Sequence, residues 1–170
     1  MLVLLTCLAL ALCAYAALND VATLKIPNWL NVSLVTLGLS ALFVAGLGFE
    51  ATIWHLTVAL LAFVVSFALF VAGVWGGGDA KMVPAVLLWI GPLGVMPFLQ
   101  WMVVAGGILA AVLIVARRTV PAGYRPRFLR KSLEKGAGAP YGVAIAAGVF
   151  MAVPSSPVFA ELVSVFSASH

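Results

Sequence analysis

The chain has 170 residues, of which 65% are hydrophobic and 8% are charged, and its mean hydropathy is +1.22. A soluble domain carries roughly 25% charged residues, so this composition excludes a soluble globular protein. It predicts an all-α, polytopic integral membrane protein, with residues 1–170 forming one transmembrane domain and no soluble domain. The net charge of +4 is better explained by membrane topology than by nucleic-acid binding, and we expect no nucleic-acid partner.

The first apolar segment, residues 1–18, has two interpretations. Its Ala-Tyr-Ala ending would suit a signal-peptide cleavage site, but the segment has no Lys or Arg before its apolar run, as a secretory signal normally has. We therefore expect a retained first transmembrane helix. Cys7 and Cys13 lie six positions apart within it, which favours apolar packing over a disulfide. With no Cys/His cluster in the sequence, we expect no metal and no cofactor.

The rest of the chain contains enough apolar sequence for five further spans. A bilayer core of about 30 Å needs about 20 helical residues, and residues 29–49, 52–75 and 140–160 are long enough for one span each. Residues 83–116 are too long for one. Pro92, Pro97 and Gln100 interrupt this stretch, and proline breaks or kinks helices. Two short helices joined by a tight turn at residues 96–100 give six spans; one span with a re-entrant segment is the alternative.

The positive-inside rule supports six spans with the N-terminus outside. The cytoplasmic loops would then be residues 19–28, 76–82 and 117–139, and they contain all 9 basic residues. These residues are Lys25, Lys81, Arg117, Arg118, Arg125, Arg127, Arg130, Lys131 and Lys135. The outer side keeps Glu50, Glu161, His55 and His170. The basic loop at residues 117–139 is mainly a topology signal, and anionic membrane lipids are expected partners for it.

Two acidic residues, Asp20 and Asp79, lie at the cytoplasmic boundary predicted by this topology. A carboxylate at a membrane boundary is costly to desolvate and indicates a functional site. Asp79 ends a Gly-x-Gly-Asp sequence that starts at Gly76 and includes Gly78, and glycine allows close backbone approach. A plain interfacial turn is the alternative. Lys81 has two interpretations as well: it holds Asp79 electrostatically, or it is only a topogenic cation.

A second polar segment follows Asp20 and contains Ile26-Pro27-Asn28. Taken alone it is explained by a loop in which Asn28 caps the next helix. That explanation leaves open why an acidic residue lies on the positively charged side of the membrane.

These segments together resemble the type IV prepilin peptidases, which are membrane aspartyl proteases of the Gly-x-Gly-Asp class. In that family the first catalytic aspartate precedes Ile-Pro-Asn, as Asp20 does here, and the second is followed two positions later by Lys, as Asp79 is by Lys81. The segment Pro140-Tyr141-Gly142 is similar to an element of the short members that serve tight-adherence (Flp) pili.

The resemblance implies catalysis by Asp20 and Asp79. It also implies a supporting role at the site for residues of the three motifs, namely Gly76, Gly78, Lys81, Pro27, Asn28, Pro140, Tyr141 and Gly142. It implies prepilin or pseudopilin substrates and a location in the bacterial cytoplasmic (inner) membrane, with the site facing the cytoplasm. Longer members also methylate the new N-terminus and carry paired Cys-x-x-Cys motifs, which this sequence lacks. The resemblance therefore gives no support for methylation. It leaves the particular pilin and the oligomeric state open.

Two other classes remain as alternatives. A small proton- or cation-coupled transporter subunit would carry acidic residues near the middle of the bilayer, whereas here they lie at one boundary. A non-catalytic pilus-assembly protein would tolerate replacement of both aspartates.

Overall fold

The computed structural model describes residues 1–121, 124, 126–134 and 136–167. Three residues of the topology prediction, Arg125, Lys135 and His170, lie outside these ranges. Within the described residues there are six α-helices and no strands, which confirms the all-α class. The helices are α1 (Leu2–Thr23), α2 (Asn28–Val44), α3 (Phe49–Val71), α4 (Gly77–Thr119), α5 (Tyr141–Ala152) and α6 (Ala160–Ser167).

The helices have the length and composition of a polytopic membrane protein. Among the described residues, α1, α3 and α4 are each long and apolar enough to cross a membrane, and α2 is a shorter apolar helix of 17 residues. The region from α5 to α6 is a fourth candidate span, bent by 76° between Tyr141–Ser155 and Pro157–Ser164. The span predicted over residues 140–160 therefore contains a sharp bend. Pro154 and Pro157 lie in the two short 3₁₀ turns at the bend.

Helix α4 reverses direction within its length, but not where the sequence suggested. The only non-helical backbone inside α4 is at Gly91, with φ 68° and ψ −175°, whereas residues 96–100, the predicted turn, are helical. The arms before and after Gly91 run antiparallel, because Asp79 near the start of α4 and Gly106 beyond the break line the same cavity. The predicted pair of helices is present, and the predicted position of its turn was wrong.

The reversal leaves two backbone carbonyl groups without helical donors, and side chains of neighbouring elements hydrogen-bond to both. Pro92 has no N–H to donate to the carbonyl of Leu88, four residues earlier. His55 on α3 hydrogen-bonds that carbonyl through Nδ1 at 2.9 Å. The hydroxyl of Ser156 donates to the next carbonyl, that of Trp89, at 2.9 Å. Such partners are needed because an unpaired carbonyl in an apolar interior is costly.

The buried core centres on the first arm of α4, which packs against α2, α3 and the C-terminal region. The indole N–H of Trp89 donates to the carbonyl of Leu34 on α2 at 2.9 Å, and the Trp89 ring lies 5.8 Å from that of Phe159. Small residues permit the closest helix contacts. A Cβ added at Gly148 of α5 would lie only 2.8 Å from the Phe98 carbonyl of α4, so α5 and the second arm of α4 approach closely there.

The two predicted aspartate loops are shorter than expected. Helix α1 continues through Thr23, and α4 already begins at Gly77, so most of residues 76–82 and the first part of residues 19–28 are helical. Asp20 lies in the last turns of α1 and Asp79 in the first turn of α4.

Basic residues gather at the same end of the bundle as the two aspartates. Lys131 donates to the carbonyl of Thr23 at 3.4 Å, and Arg117 donates to that of Ser132 at 2.7 Å. Glu50, in contrast, lies beside the Gly91–Pro92 reversal at the opposite end. This separation of charge within the described residues agrees with the sorting of basic residues to one side of the membrane.

Candidate active site

The end of α1 is held in a conformation that directs the following loop across Asp20. Leu24 takes a left-handed conformation, φ 54°, and its N–H donates to the carbonyl of Asp20 at 2.8 Å. This is an αL helix ending, which is uncommon for a residue other than glycine. The side-chain amide of Asn19 donates to the carbonyl of Lys25 at 2.7 Å. These bonds fix the loop that leads from α1 to α2.

The start of α4 packs directly under that loop. Gly76 is the N-cap residue of α4, and the carboxylate of Asp79, three residues later, folds back toward the Gly76 backbone N–H. This is the reach of an acidic side chain in a capping box. A Cβ added at Gly78 would lie 3.0 Å from Cβ of Ile26 and 3.2 Å from its backbone nitrogen. The missing side chain of Gly78 therefore makes room for the α1–α2 loop.

Between these elements lies a cavity of about 260 Å³ that both aspartates line. Its other walls come from the loop and from the start of α4, namely Leu24, Lys25, Ile26, Gly76, Gly77 and Gly78. Asp20 is only 5% exposed, and its charge acts directly on Asp79. Two residues 59 positions apart in the sequence are thus brought to one small cavity, where one water molecule and a carbonyl group have room.

Helix α5 completes the surroundings of Asp20. The backbone N–H of Gly142 donates to Oδ2 of Asp20 at 2.8 Å. Pro140 is the N-cap residue of α5 and Tyr141 its first residue, so the Asp20 carboxylate lies at the positive end of the helix dipole. A Cβ at Gly142 would lie 3.0 Å from both Cβ and Oδ2 of Asp20. Glycine is therefore needed there for this carboxylate to approach the helix end.

A second cavity of about 300 Å³ adjoins Asp79 on its other side. It lies between the second arm of α4 and α5, and apart from Asp79 its walls are apolar or small. They comprise Trp75, Met102, Val103, Gly106, Gly107, Ala110, Tyr141 and Ile145. Asp79 thus stands between a cavity that contains the other carboxylate and an apolar one.

Comparison with known protein families identifies the family of the chain. The model of the type IV leader peptidase family matches residues 7–111, which is more than half of the chain and includes both aspartates. The chain belongs to the type IV leader peptidase family. Searches of curated proteins and of solved structures each returned no match. Family membership makes the chain a peptidase, and its apolar helices make it a membrane protein.

Most of the residues predicted for the site of this leader peptidase are brought together. Asp20, Asp79, Gly76 and Gly78 line the first cavity, Tyr141 lines the second, and Gly142 contacts Asp20. Pro140 supports the site from the N-cap of α5.

Pro27, Asn28 and Lys81 are placed differently. Pro27, not Asn28, is the N-cap residue of α2, and no side chain caps that helix; the predicted capping role of Asn28 was wrong. Lys81 donates from Nζ to Oδ1 of Asn28 at 2.9 Å, and both residues line a groove on the far side of α4. Two positions along a helix correspond to about 200° of rotation. Lys81 therefore points away from the cavity that Asp79 faces.

The apolar wall of the second cavity was not predicted from the sequence. Gly106 and Ala110 lie four residues apart on one face of α4, and Gly107 lies beside them. A stripe of small residues in an apolar helix was a usable signal, because such residues permit close approach between membrane helices. It carried no indication that Asp79, more than 20 positions earlier, would lie beside it. That pairing depends on the reversal at Gly91.

Proposed function

We propose that this leader peptidase is an aspartic endopeptidase of the Gly-x-Gly-Asp type, with Asp20 and Asp79 as its catalytic pair. The observation that supports this most strongly is the shared cavity of about 260 Å³, which both carboxylates line at one end of the bundle. Peptide hydrolysis by two carboxyl groups requires them to face one water molecule and one carbonyl group. Hydrolysis by such a pair uses water as the nucleophile and needs no nucleophilic side chain.

In the proposed mechanism the pair holds one proton, because two carboxylates this close do not both ionise readily. The ionised carboxylate takes a proton from a water molecule, whose oxygen attacks the scissile carbonyl carbon. The protonated carboxyl group donates its proton to the carbonyl oxygen. Collapse of the tetrahedral intermediate then breaks the C–N bond as a proton passes to the amine. The products are a leader peptide with a new carboxylate and a mature chain with a new amine.

The backbone donors around the pair hold it in position for this chemistry. Gly142 N–H fixes Oδ2 of Asp20, and the first turn of α4 orients Asp79 toward Gly76. A catalytic group on a helix end is positioned more precisely than one on a loop. The apolar cavity beside Asp79 supports a further assignment: it receives an apolar part of the substrate next to the scissile bond.

We infer that the substrates are prepilins or pseudopilins, cut after a leader glycine at the cytoplasmic face of the bacterial inner membrane. The gathering of basic residues at the aspartate end supports that orientation. The Pro140-Tyr141-Gly142 element beside Asp20 supports the short Flp-pilus type.

Co-expression with an Flp-type prepilin tests this proposal. We expect the prepilin to shift to a smaller size on a gel, and N-terminal sequencing of the product to begin directly after the leader glycine. Membranes that lack the peptidase provide the background. A prepilin that stays full length beside a well-expressed peptidase would contradict the proposed substrate class.

Replacing Gly142 by Ala should lower cleavage while leaving the protein folded. The added Cβ would lie 3.0 Å from Cβ and Oδ2 of Asp20, so this carboxylate has to shift by a few tenths of an ångström. Such misplacement of a catalytic group costs about tenfold or more in rate. The measurement is the rate of prepilin cleavage at equal amounts of membrane-inserted protein.

The matched control is Gly138→Ala, because a Cβ at Gly138 meets no atom of the described residues within 4 Å. We expect Gly138→Ala to cleave at the parent rate. Equal rates for Gly142→Ala and Gly138→Ala would show that the contact between α5 and Asp20 does not position the carboxylate.

A further inference from the structure

A lateral groove of about 710 Å³ lies on the side of α4 opposite the aspartates. Helices α2 and α3 both pack against α4, and the groove runs between them with Pro84, Ala85 and Leu88 of α4 as its floor. Beyond its polar end the groove is apolar except for Thr36, whose hydroxyl donates to the backbone carbonyl of Val32. Its apolar walls come from α2 and α3 and include Val35, Leu39, Ala59, Leu60 and Phe63. Several of these side chains are exposed, so the groove opens sideways toward the surrounding lipid.

Polar groups occur at one end of this groove. Asn28, Asn31 and Lys81 line it there, at the same end of the bundle as the catalytic pair. Lys81 uses one of the three ammonium donors in its bond to Asn28. Asn31 is only 6% exposed, and within the described part of the chain neither its Oδ1 nor its Nδ2 has a hydrogen-bond partner.

Leaving a buried amide unpartnered is costly, and Asn31 lines the groove, so a molecule bound in the groove can supply its hydrogen-bond partner. The groove has one ammonium group and two amides at one end and apolar walls along the rest, a combination that matches an anionic lipid. An anionic lipid carries a phosphate that accepts hydrogen bonds from Lys and Asn, and an acyl chain that fills an apolar groove. The groove volume lies within the usual range of ligand sites, about 300–1,000 Å³.

We propose that this groove binds one anionic phospholipid. Its phosphate accepts hydrogen bonds from Lys81 and from Asn31, whose side chain turns toward the headgroup. One acyl chain lies between α2 and α3 along Leu39, Leu60 and Phe63. This site is separate from the aspartate cavity. It gives Lys81 and Asn28 a function in lipid binding, apart from catalysis. It does not depend on the proposed peptidase mechanism.

The test measures lipid binding and needs no cleavage. The full-length protein is purified in detergent, and binding of phosphatidylglycerol and of phosphatidylcholine is titrated by native mass spectrometry. We expect one phosphatidylglycerol to bind in preference to phosphatidylcholine. Lys81→Gln should weaken its binding about fivefold, the usual contribution of one basic residue to anionic lipid binding. Ala59→Phe, which fills the groove below the headgroup, should weaken the binding of both lipids.

The matched control is Lys131→Gln, since Lys131 lies at the same end of the bundle but contacts the carbonyl of Thr23. Because Lys131 belongs to the basic loop at residues 117–139, which attracts anionic lipids diffusely, we expect Lys131→Gln to weaken phosphatidylglycerol binding clearly less than Lys81→Gln does. Equal weakening by Lys131→Gln and Lys81→Gln would show only diffuse charge attraction and overturn the site. Competition by inorganic phosphate alone, with no effect of Ala59→Phe, would overturn the acyl-chain part of the proposal.

A photocrosslinking residue at position 60 identifies the occupant of the groove in membranes. Adducts with an anionic phospholipid whose yield falls in the Lys81→Gln protein support the proposal, because Leu60 is exposed and bulk lipid would crosslink equally in both proteins. Crosslinks to a co-expressed prepilin, with no lipid adduct, would overturn it and make the groove a docking surface for the substrate's apolar segment.

Discussion

Asp20→Asn and Asp79→Asn should each lower prepilin cleavage by at least about 100-fold. Both carboxylates line one cavity, and in the proposed mechanism each has a proton-transfer step that an amide cannot perform. Loss of a positioned acid or base typically costs 10²–10⁴-fold in rate, an order-of-magnitude range. The measurement is the rate at which the mature pilin appears after induction, normalised to the amount of peptidase in the membrane.

Glu50→Gln is the matched control, because it removes an exposed carboxylate at the opposite end of the bundle. It should cleave at the parent rate. An aspartate variant that cleaves as fast as Glu50→Gln would remove that aspartate from the chemistry. A transporter or assembly role would then account better for a buried carboxylate at this position.

Gly91→Ala should destabilise the protein more than Gly142→Ala, Gly138→Ala or Gly107→Ala does. Gly91 has φ 68° and ψ −175°, a conformation that is essentially restricted to glycine and costs another residue about 1–3 kcal/mol, and an added Cβ would overlap the ring of His55. That ring cannot move freely, because it hydrogen-bonds the carbonyl that Pro92 leaves without a donor. We expect a total loss of about 3 kcal/mol or more in the free energy of unfolding.

Thermal unfolding of the purified protein in detergent measures this effect, with Gly107→Ala as the control. Gly107 is in the same helix, and a Cβ there meets no atom within 4 Å. Alanine should be neutral or stabilise the helix by up to about 1 kcal/mol. If Gly91→Ala unfolds at the same temperature as Gly107→Ala, the reversal of α4 does not lie at Gly91.

The fold class and the aspartate pair were predictable because each rests on a strong physical constraint. Apolar runs of about 20 residues form helices in a membrane, since no other structure satisfies the backbone there. The basic residues then sort the loops to one side. Asp20 and Asp79 fall on that side together, and within the described residues the structure places both in one cavity.

The position of the reversal in α4 was not predictable from the same reasoning. The segment contains Pro84, Pro92 and Pro97. Each of these prolines could break the helix, and the local sequence does not show which one does. The break lies at Gly91 because glycine tolerates a positive φ, and because His55 and Ser156, from distant parts of the sequence, satisfy the freed carbonyls. Neither partner is visible from the local sequence.

The direction of the Lys81 side chain was also not predictable from the local sequence. Its position two residues after Asp79 suggested a direct electrostatic partner, but the first turn of α4 is already helical. Helical geometry turns Lys81 toward Asn28 and α2. Once residues 76–82 are known to be helical and not a loop, the direction of each side chain follows.

The most direct test of the catalytic pair compares single-turnover cleavage by the purified Asp20→Asn, Asp79→Asn and doubly substituted proteins in lipid vesicles. Residues that act as one unit are strongly non-additive, so all three proteins should share one residual rate, far below that of the parent. A double variant slower than either single variant by the product of their separate losses would contradict a shared mechanism. Substantial cleavage by either single variant would contradict the pair itself.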